Sequence, residues 1–216
     1  MPKAVAVVLS VLLMGLTALA AALALADIYR VEGARLVDEW SMTEARQVPP
    51  WVWEQAHRYL WLASRLAPLD PDIRNDLGRL FELRVTEQQA DEPQAQADLE
   101  QALQYYRQSV ALRPAWPYVW TNLAMLKVKQ EQVDAEFALA MQRTATLGPW
   151  EMALQLAVAG GGLSLWARLP ADLQALVEHA VAQGLWRGYR PMWSLAEQYA
   201  LISPDVAGTA VAPISP

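Results

Sequence analysis

The order of apolar and polar positions divides the chain into three stretches. Residues 4–26, AVAVVLSVLLMGLTALAAALALA, are apolar throughout and carry no charge. After Asp27 the apolar positions recur at helical spacing, and no stretch alternates with the period of two that a half-buried strand requires. In 97–113, ADLEQALQYYRQSVALR, the residues Leu99, Ala102, Leu103, Tyr106, Ser109 and Val110 fall at i, i+3, i+4 and i+7. Pro114 ends that run, because proline lacks an amide donor and restricts the residue before it. Pro117 then opens the next run, YVWTNLAMLK.

The expected class is all-α. A membrane helix leads into antiparallel helical repeats with flanking capping helices. The expected boundaries are 1–26 for the anchor or signal segment, 27–202 for the helical domain and 203–216 for a disordered tail. Within the domain, VEGARLVDEW is expected to form a helix paired with the one containing Ala56. Past Pro149, WEMALQLAVAGGGLSLW reads as a helix broken at Gly160–Gly162, followed by helices over PADLQALVEHAVAQGLW and RPMWSLAEQYAL.

The spacing also fits the tetratricopeptide repeat of about 34 residues, two helices closed by an exit proline. With Pro114 as exit, Ala102, Tyr106 and Ser109 occupy the small, aromatic and small positions of a second helix. Downstream, Trp120, Leu123 and Ala124 match the W-x-x-L-G/A signature of a first helix. With Pro68 as exit, Ala56, Leu60 and Ala63 take the second-helix positions, and Leu77, Gly78 and Phe81 those of the following first helix. Small residues are needed because helix axes come within about 8–10 Å where they cross. One departure lies around RVTEQQADEPQAQ, where extra polar residues predict a lengthened turn or helix overhang.

At about 1.5 Å per residue, 4–26 is long enough for a hydrocarbon core of ~30 Å. Ala24-Leu25-Ala26 is also a small-residue cleavage pattern, so an anchor and a secretory signal both fit. Length favours the anchor, since signal cores run to about 7–15 apolar residues. Lys3 stands against Arg30 and Arg35, so the basic residues flanking the segment are nearly balanced and do not set its orientation.

All 23 acidic residues lie beyond residue 26, against 17 basic residues less Lys3, so the net charge there is −7. That disfavours nucleic acid, whose phosphates demand a basic face. The chain has no cysteine, which removes disulfides, thiolate metal sites and cysteine nucleophiles. His57 and His179 fall on separate predicted helices without an H-x-x-x-H companion, so no metal and no cofactor are expected. G-x-S-x-G is absent, and Gly160–Gly162 lacks the Gly-Lys-Ser/Thr of a phosphate loop. A non-enzyme is the expectation.

Ten tryptophans are the notable surplus. Trp51, Trp53, Trp61, Trp116, Trp150 and Trp166 offer rings on which sugars can stack. Trp40, Trp51 and Trp53 also suit a bilayer interface. The register instead assigns Trp120 to the core.

Residues 105–155, with YYRQSVALRPAWPYVWTNLAMLKVK, DAEFALAMQRTATLGPWE and LQLAV, resemble the VpsP family of tetratricopeptide-type proteins found with bacterial exopolysaccharide biosynthesis. No catalytic residues come with that resemblance. It implies an accessory role through a protein partner of polysaccharide synthesis or secretion. It also implies a single-pass inner-membrane protein whose soluble part is periplasmic. Repeats of this type present a concave face from their first helices. By register that face holds Asn75, Arg79 and Glu82, then Tyr118, Thr121, Asn122, Met125 and Lys129. A glycan-binding or glycan-active periplasmic protein using the surface tryptophans is the alternative.

Overall fold

The computed structural model describes residues 2–42, 49–87 and 93–201. Among these residues every regular element is helical. Helix α1 spans Pro2–Met42, α2 Pro50–Leu66, α3 Pro71–Glu87 and α4 Pro93–Leu112. Next come α5 at Pro117–Lys129, α6 at Ala135–Leu147 and α7 at Met152–Ser164. A 3-10 turn at Trp166–Arg168 precedes α8, Ala171–Trp186, and α9, Arg190–Gln198. The expected tail, 203–216, lies outside the described residues.

Prolines set the helix starts. Pro50, Pro71, Pro93 and Pro117 each stand first in their helix, where the missing amide costs nothing and the fixed φ suits helical backbone. Pro93, inside the stretch expected to lengthen a turn or helix, therefore opens α4. The extra residues there lengthen the helices: α3 runs to Glu87 and α4 starts at Pro93. Side chains cap two of the helices. Asp70 accepts the amides of Asp72 and Ile73 ahead of α3. Asp134 accepts that of Phe137 at 2.8 Å ahead of α6.

The chain divides after Arg113 into two compact units. In the first, α1 packs on α2, α2 on α3 and α3 on α4, with α1 also touching α3. Leu36, Val37 and Trp40 join Ala56, Leu60 and Ala63 in its core, with Ile73, Leu77 and Leu80 of α3. Close approach explains the small residues. A Cβ on Gly33 would stand 2.7 Å from Leu60, and one on Gly78 would stand 2.6 Å from the Tyr106 ring. The register positions Ala56, Leu60, Ala63, Ala102 and Tyr106 are all fully buried.

VEGARLVDEW does pair with α2, but as the end of α1 and not as a separate helix. Trp40 is only 4% exposed, so it fills the core and does not line a bilayer interface. Its place on the inward stripe with Leu36 and Val37 is the reason. By contrast, the half of α1 from Val5 to Leu25 leaves its large apolar side chains exposed. By length and composition this helix is a candidate membrane span.

In the second unit α5 packs on α6 and α7, and α7 on α8 and α9. Trp120, Leu123 and Ala124 are buried with Phe137, Ala140 and Met141 of α6 and Val158 of α7. The expected break at Gly160–Gly162 does not occur: α7 is continuous from Met152 to Ser164. These glycines are contact points between helices. Gly161 and Gly162 are buried, facing Met125 and Val128 of α5 and Val177 of α8, whereas a Cβ on Gly160 would meet Leu195 of α9 at an ordinary contact distance of 3.8 Å.

Candidate partner-binding face

The eight residues expected on one face fall in both units, three in the first and five in the second. In the first unit all three are half-buried and engaged inside the fold. Arg79 of α3 donates to Asp38 of α1 at 2.7 Å and lies 3.9 Å from Asp76. Glu82 accepts the Tyr106 hydroxyl at 2.6 Å. Burial, then the adjacent Glu82 carboxylate, pushes that hydroxyl well above its ordinary value, so the proton stays on tyrosine. Asn75 lies one turn before Arg79 on the same helix. This stretch of α3 ties helices together and presents little to a partner.

Asp76 beside them is 4% exposed and accepts Arg30 of α1 at 3.0 Å. Burial dominates over Arg30 and Arg79 and pushes its carboxyl up to about 6.

In the second unit Tyr118, Asn122, Met125 and Lys129 share one stripe of α5, at spacings of four, three and four residues. Tyr118 is 41% exposed and its hydroxyl donates to Glu151 at 3.3 Å. The Glu151 charge raises that hydroxyl's pKa. Lys129 is exposed, while Asn122 and Met125 are half-buried. Thr121 departs from the expectation. It is buried, donating to Pro117 O at 3.0 Å and lying 3.2 Å from the Thr144 hydroxyl of α6. With α6 and α7 covering α5 from two sides, the residue next to the stripe has no solvent to face.

Lys127 is not among the residues expected to carry a role, yet its side chain is only 2% exposed. It occupies the position that Phe81 holds in α3, where an aromatic residue is expected. Its ammonium meets Asp134 at 2.6 Å, Glu136 at 2.9 Å and the Gln132 amide oxygen at 3.4 Å. Three acceptors satisfy three donors. Partial burial opposes the effect, but the Lys127 hydrogen bond and the α6 amides hold Asp134 below its ordinary value. The only signal in the sequence is the carboxylate pair just downstream.

The tryptophans separate by environment. Trp53 is half-buried, stacked on His57 at 4.8 Å with the Arg84 guanidinium 3.9 Å over its ring. Arg84 in turn forms a two-pronged pair with the buried Asp98. Trp166 lines an apolar cavity of about 410 Å³ with Leu163, Val177, Val181 and Leu185. Trp150 and Trp186 are 74% and 67% exposed, with Arg187 4.5 Å and 6.0 Å from their rings. Among the described residues no three His, Asp or Glu side chains converge to hold a metal ion. His179 bonds Gln183 at 2.9 Å.

No family model, curated protein or solved structure matches this chain.

Proposed function

We propose that the chain is a non-catalytic scaffold of tetratricopeptide-like helix pairs, anchored in the bacterial inner membrane. In this reading it assists exopolysaccharide synthesis or export by holding a protein partner on the periplasmic side. The observation that carries it is the continuity of α1, which passes unbroken from an exposed apolar half into the core of a helical unit. Ala26, the last residue before the alternative cleavage point, is 2% exposed. Cutting there would divide a packed helix, which supports the anchor over the cleaved signal.

The partner face is assigned to the α5 stripe of Tyr118, Asn122, Met125 and Lys129. An aromatic ring and a cation on one helical stripe suit a partner's helix or extended segment. The small residues at the crossings, Gly78 against Tyr106 above all, support the repeat reading. The test is co-purification of the tagged full chain from detergent-solubilised membranes, comparing wild type with Tyr118→Ala combined with Lys129→Glu. A partner retained by wild type and lost by the variant supports the reading; equal recovery removes α5 as the working face. An alkaline phosphatase fusion after Pro216 tests the side, and a stable but inactive fusion places the helices in the cytoplasm.

Glycan binding has one observation in its favour, the exposed Trp150 and Trp186 rings around Arg187. Sugar rings stack on such faces, and a guanidinium suits an acidic sugar. Trp150→Ala then abolishes polysaccharide binding without affecting partner recovery.

A further inference from the structure

Because α1 is one helix from Pro2 to Met42, its apolar half and its packed half share an axis. The neighbouring helices show which end of the first unit lies toward the apolar half. Arg30 pairs with Asp76 and Asp38 with Arg79, so numbering rises together along α1 and α3. Helix α2, which meets Gly33 at Leu60, runs back between them. The α2–α3 turn at Ala67–Asp70 therefore lies beside the apolar half of α1.

Burial on α1 agrees. Ala26 belongs to the same core cluster as Ala67 and Ile73. Ala22, one turn deeper, is half-buried while the residues around it are exposed. A hydrocarbon layer of ~30 Å takes about 20 residues of helix. Counted from Ala4, it ends within the Ala22–Ala26 turn that this part of the unit covers.

From this juxtaposition we infer that the α2–α3 turn is seated on the bilayer surface, with Leu69 at the boundary between headgroups and acyl chains. The inference rests on α1 being the anchor. Leu69 is 76% exposed, a large apolar side chain at the tip of the turn. One helical turn apart on α2, Arg65 and the half-exposed Trp61 approach to 6.0 Å. Apolar tip, cation and aromatic ring thus gather at this end of α2, residue types that anchor proteins at a membrane interface. Helix α4 brings Leu112 to the same end, since Ser109 donates to Pro71 O at 2.7 Å and Arg113 pairs with Asp72 at 2.5 Å.

The charges at this end balance. Arg30 pairs with Asp76 and Arg113 with Asp72; Asp70 caps α3; and Arg65 and Arg74 offset Asp70 and Asp27. The contact is apolar and does not require anionic lipid. It holds the first unit at a fixed height above the membrane.

The chain lacks cysteine, so single-site labels are specific. Leu69→Cys, Met42→Cys and Leu13→Cys, each in the full chain carrying a polarity-sensitive fluorophore, are reconstituted in phosphatidylcholine nanodiscs. The expected Leu69 signal is blue-shifted, quenched by a lipid nitroxide near the headgroup and shielded from aqueous iodide. Met42, 87% exposed at the far end of α1, should be open to iodide and untouched by the lipid quencher. If Leu13 is lipid-quenched while Leu69 behaves like Met42, the seating is wrong and the anchor stands. If Leu13 is itself open to iodide, both fall.

Discussion

Helices α3 and α5 follow the same Pro-x-x-Pro turn, Pro68-Leu-Asp-Pro71 before one and Pro114-Ala-Trp-Pro117 before the other. Three residues into each helix a side chain reaches back to the carbonyl of the first proline. In α3 it is Arg74, whose guanidinium donates to Pro68 O at 3.0 Å; in α5 it is Trp120, whose indole donates to Pro114 O at 2.8 Å. The hydrogen bond is shared, but the packing is not. Arg74 is half-buried and polar, whereas Trp120 is 8% exposed and fills space among helices. The next equivalent position reverses the contrast, with Phe81 in α3 and the buried Lys127 in α5. A turn can thus be specified by one bond while the core beneath it is built from different chemistry.

Removing each side chain should separate the bond from the packing. Trp120→Ala leaves a cavity and loses about 3–5 kcal/mol, a large share of a typical ~5–15 kcal/mol. Arg74→Ala loses one solvent-accessible bond, about 0.5–1.5 kcal/mol. Thermal melts of the two variants in detergent read the difference. Equal shifts would mean that Trp120 contributes no more than its hydrogen bond.

The buried charges offer a second contrast. Lys127 is fully partnered, while Asp76 is held at about 6 from an ordinary 3.8, burial outweighing Arg30 and Arg79. A raised carboxyl means that the folded state keeps its proton longer than the unfolded state. Stability contributed by Asp76 is therefore present at low pH and is lost as pH rises from about 4 through about 6. The loss is roughly 3 kcal/mol, at about 1.4 kcal/mol per pH unit. His57 acts in the opposite sense. Burial, then Arg84, holds it below 6.5, so its neutral form favours the fold and stability falls as pH drops below 6.5. Asp76→Asn should abolish the loss between about pH 4 and about pH 6 and leave the His57 trend. Denaturant titrations across that range check it, and an unchanged profile would show that Asp76 titrates alike in the folded and unfolded chain.

Glycines in α7 give a smaller and two-signed effect. Gly162 faces Val177, a branched side chain with little freedom to move. Gly162→Ala should cost about 1–3 kcal/mol through overpacking. A Cβ on Gly160 would meet only Leu195, at an ordinary contact distance of 3.8 Å, so Gly160→Ala should gain up to about 1 kcal/mol of helix propensity. Both melting below wild type would mean that α7 is broken there after all.

Those glycines also mark how far the sequence could be read. The helix starts at Pro71 and Pro117, the buried stripe of α2 and α4 and the Trp120 core position were legible, because proline chemistry and i, i+4 spacing are local. The role of Gly160–Gly162 was not, since a glycine run looks the same whether it breaks a helix or admits a neighbour. Thr121 was misassigned, and the burial of Lys127 missed, for a related reason. Spacing assigns a residue to a face, but the number of helices covering that face is a tertiary fact. Trp40 shows the reverse error: its ring suited an interface by type, while its inward position beside Leu36 and Val37 decided its burial.

The smallest effect on stability belongs to the exposed stripe of α5, and it bears most directly on function. In α3 the equivalent polar residues Arg79 and Glu82 hold α1 and α4 in place, so changing them confounds folding with binding. Lys129 is exposed and Asn122 half-buried on a stripe whose other members, Tyr118 and Met125, also reach solvent. Asn122→Ala with Lys129→Ala should shift stability by no more than about 0.5 kcal/mol, the usual range for surface changes. If this stripe grips the partner, exopolysaccharide output in cells should fall although the melt is unchanged. Arg79→Ala should show the converse, a lowered melt with output reduced only as far as folded protein is lost. Measuring melts, membrane protein levels and polysaccharide together for both variants distinguishes the helices. Normal output from the α5 variant at wild-type protein levels would remove that face as the working surface.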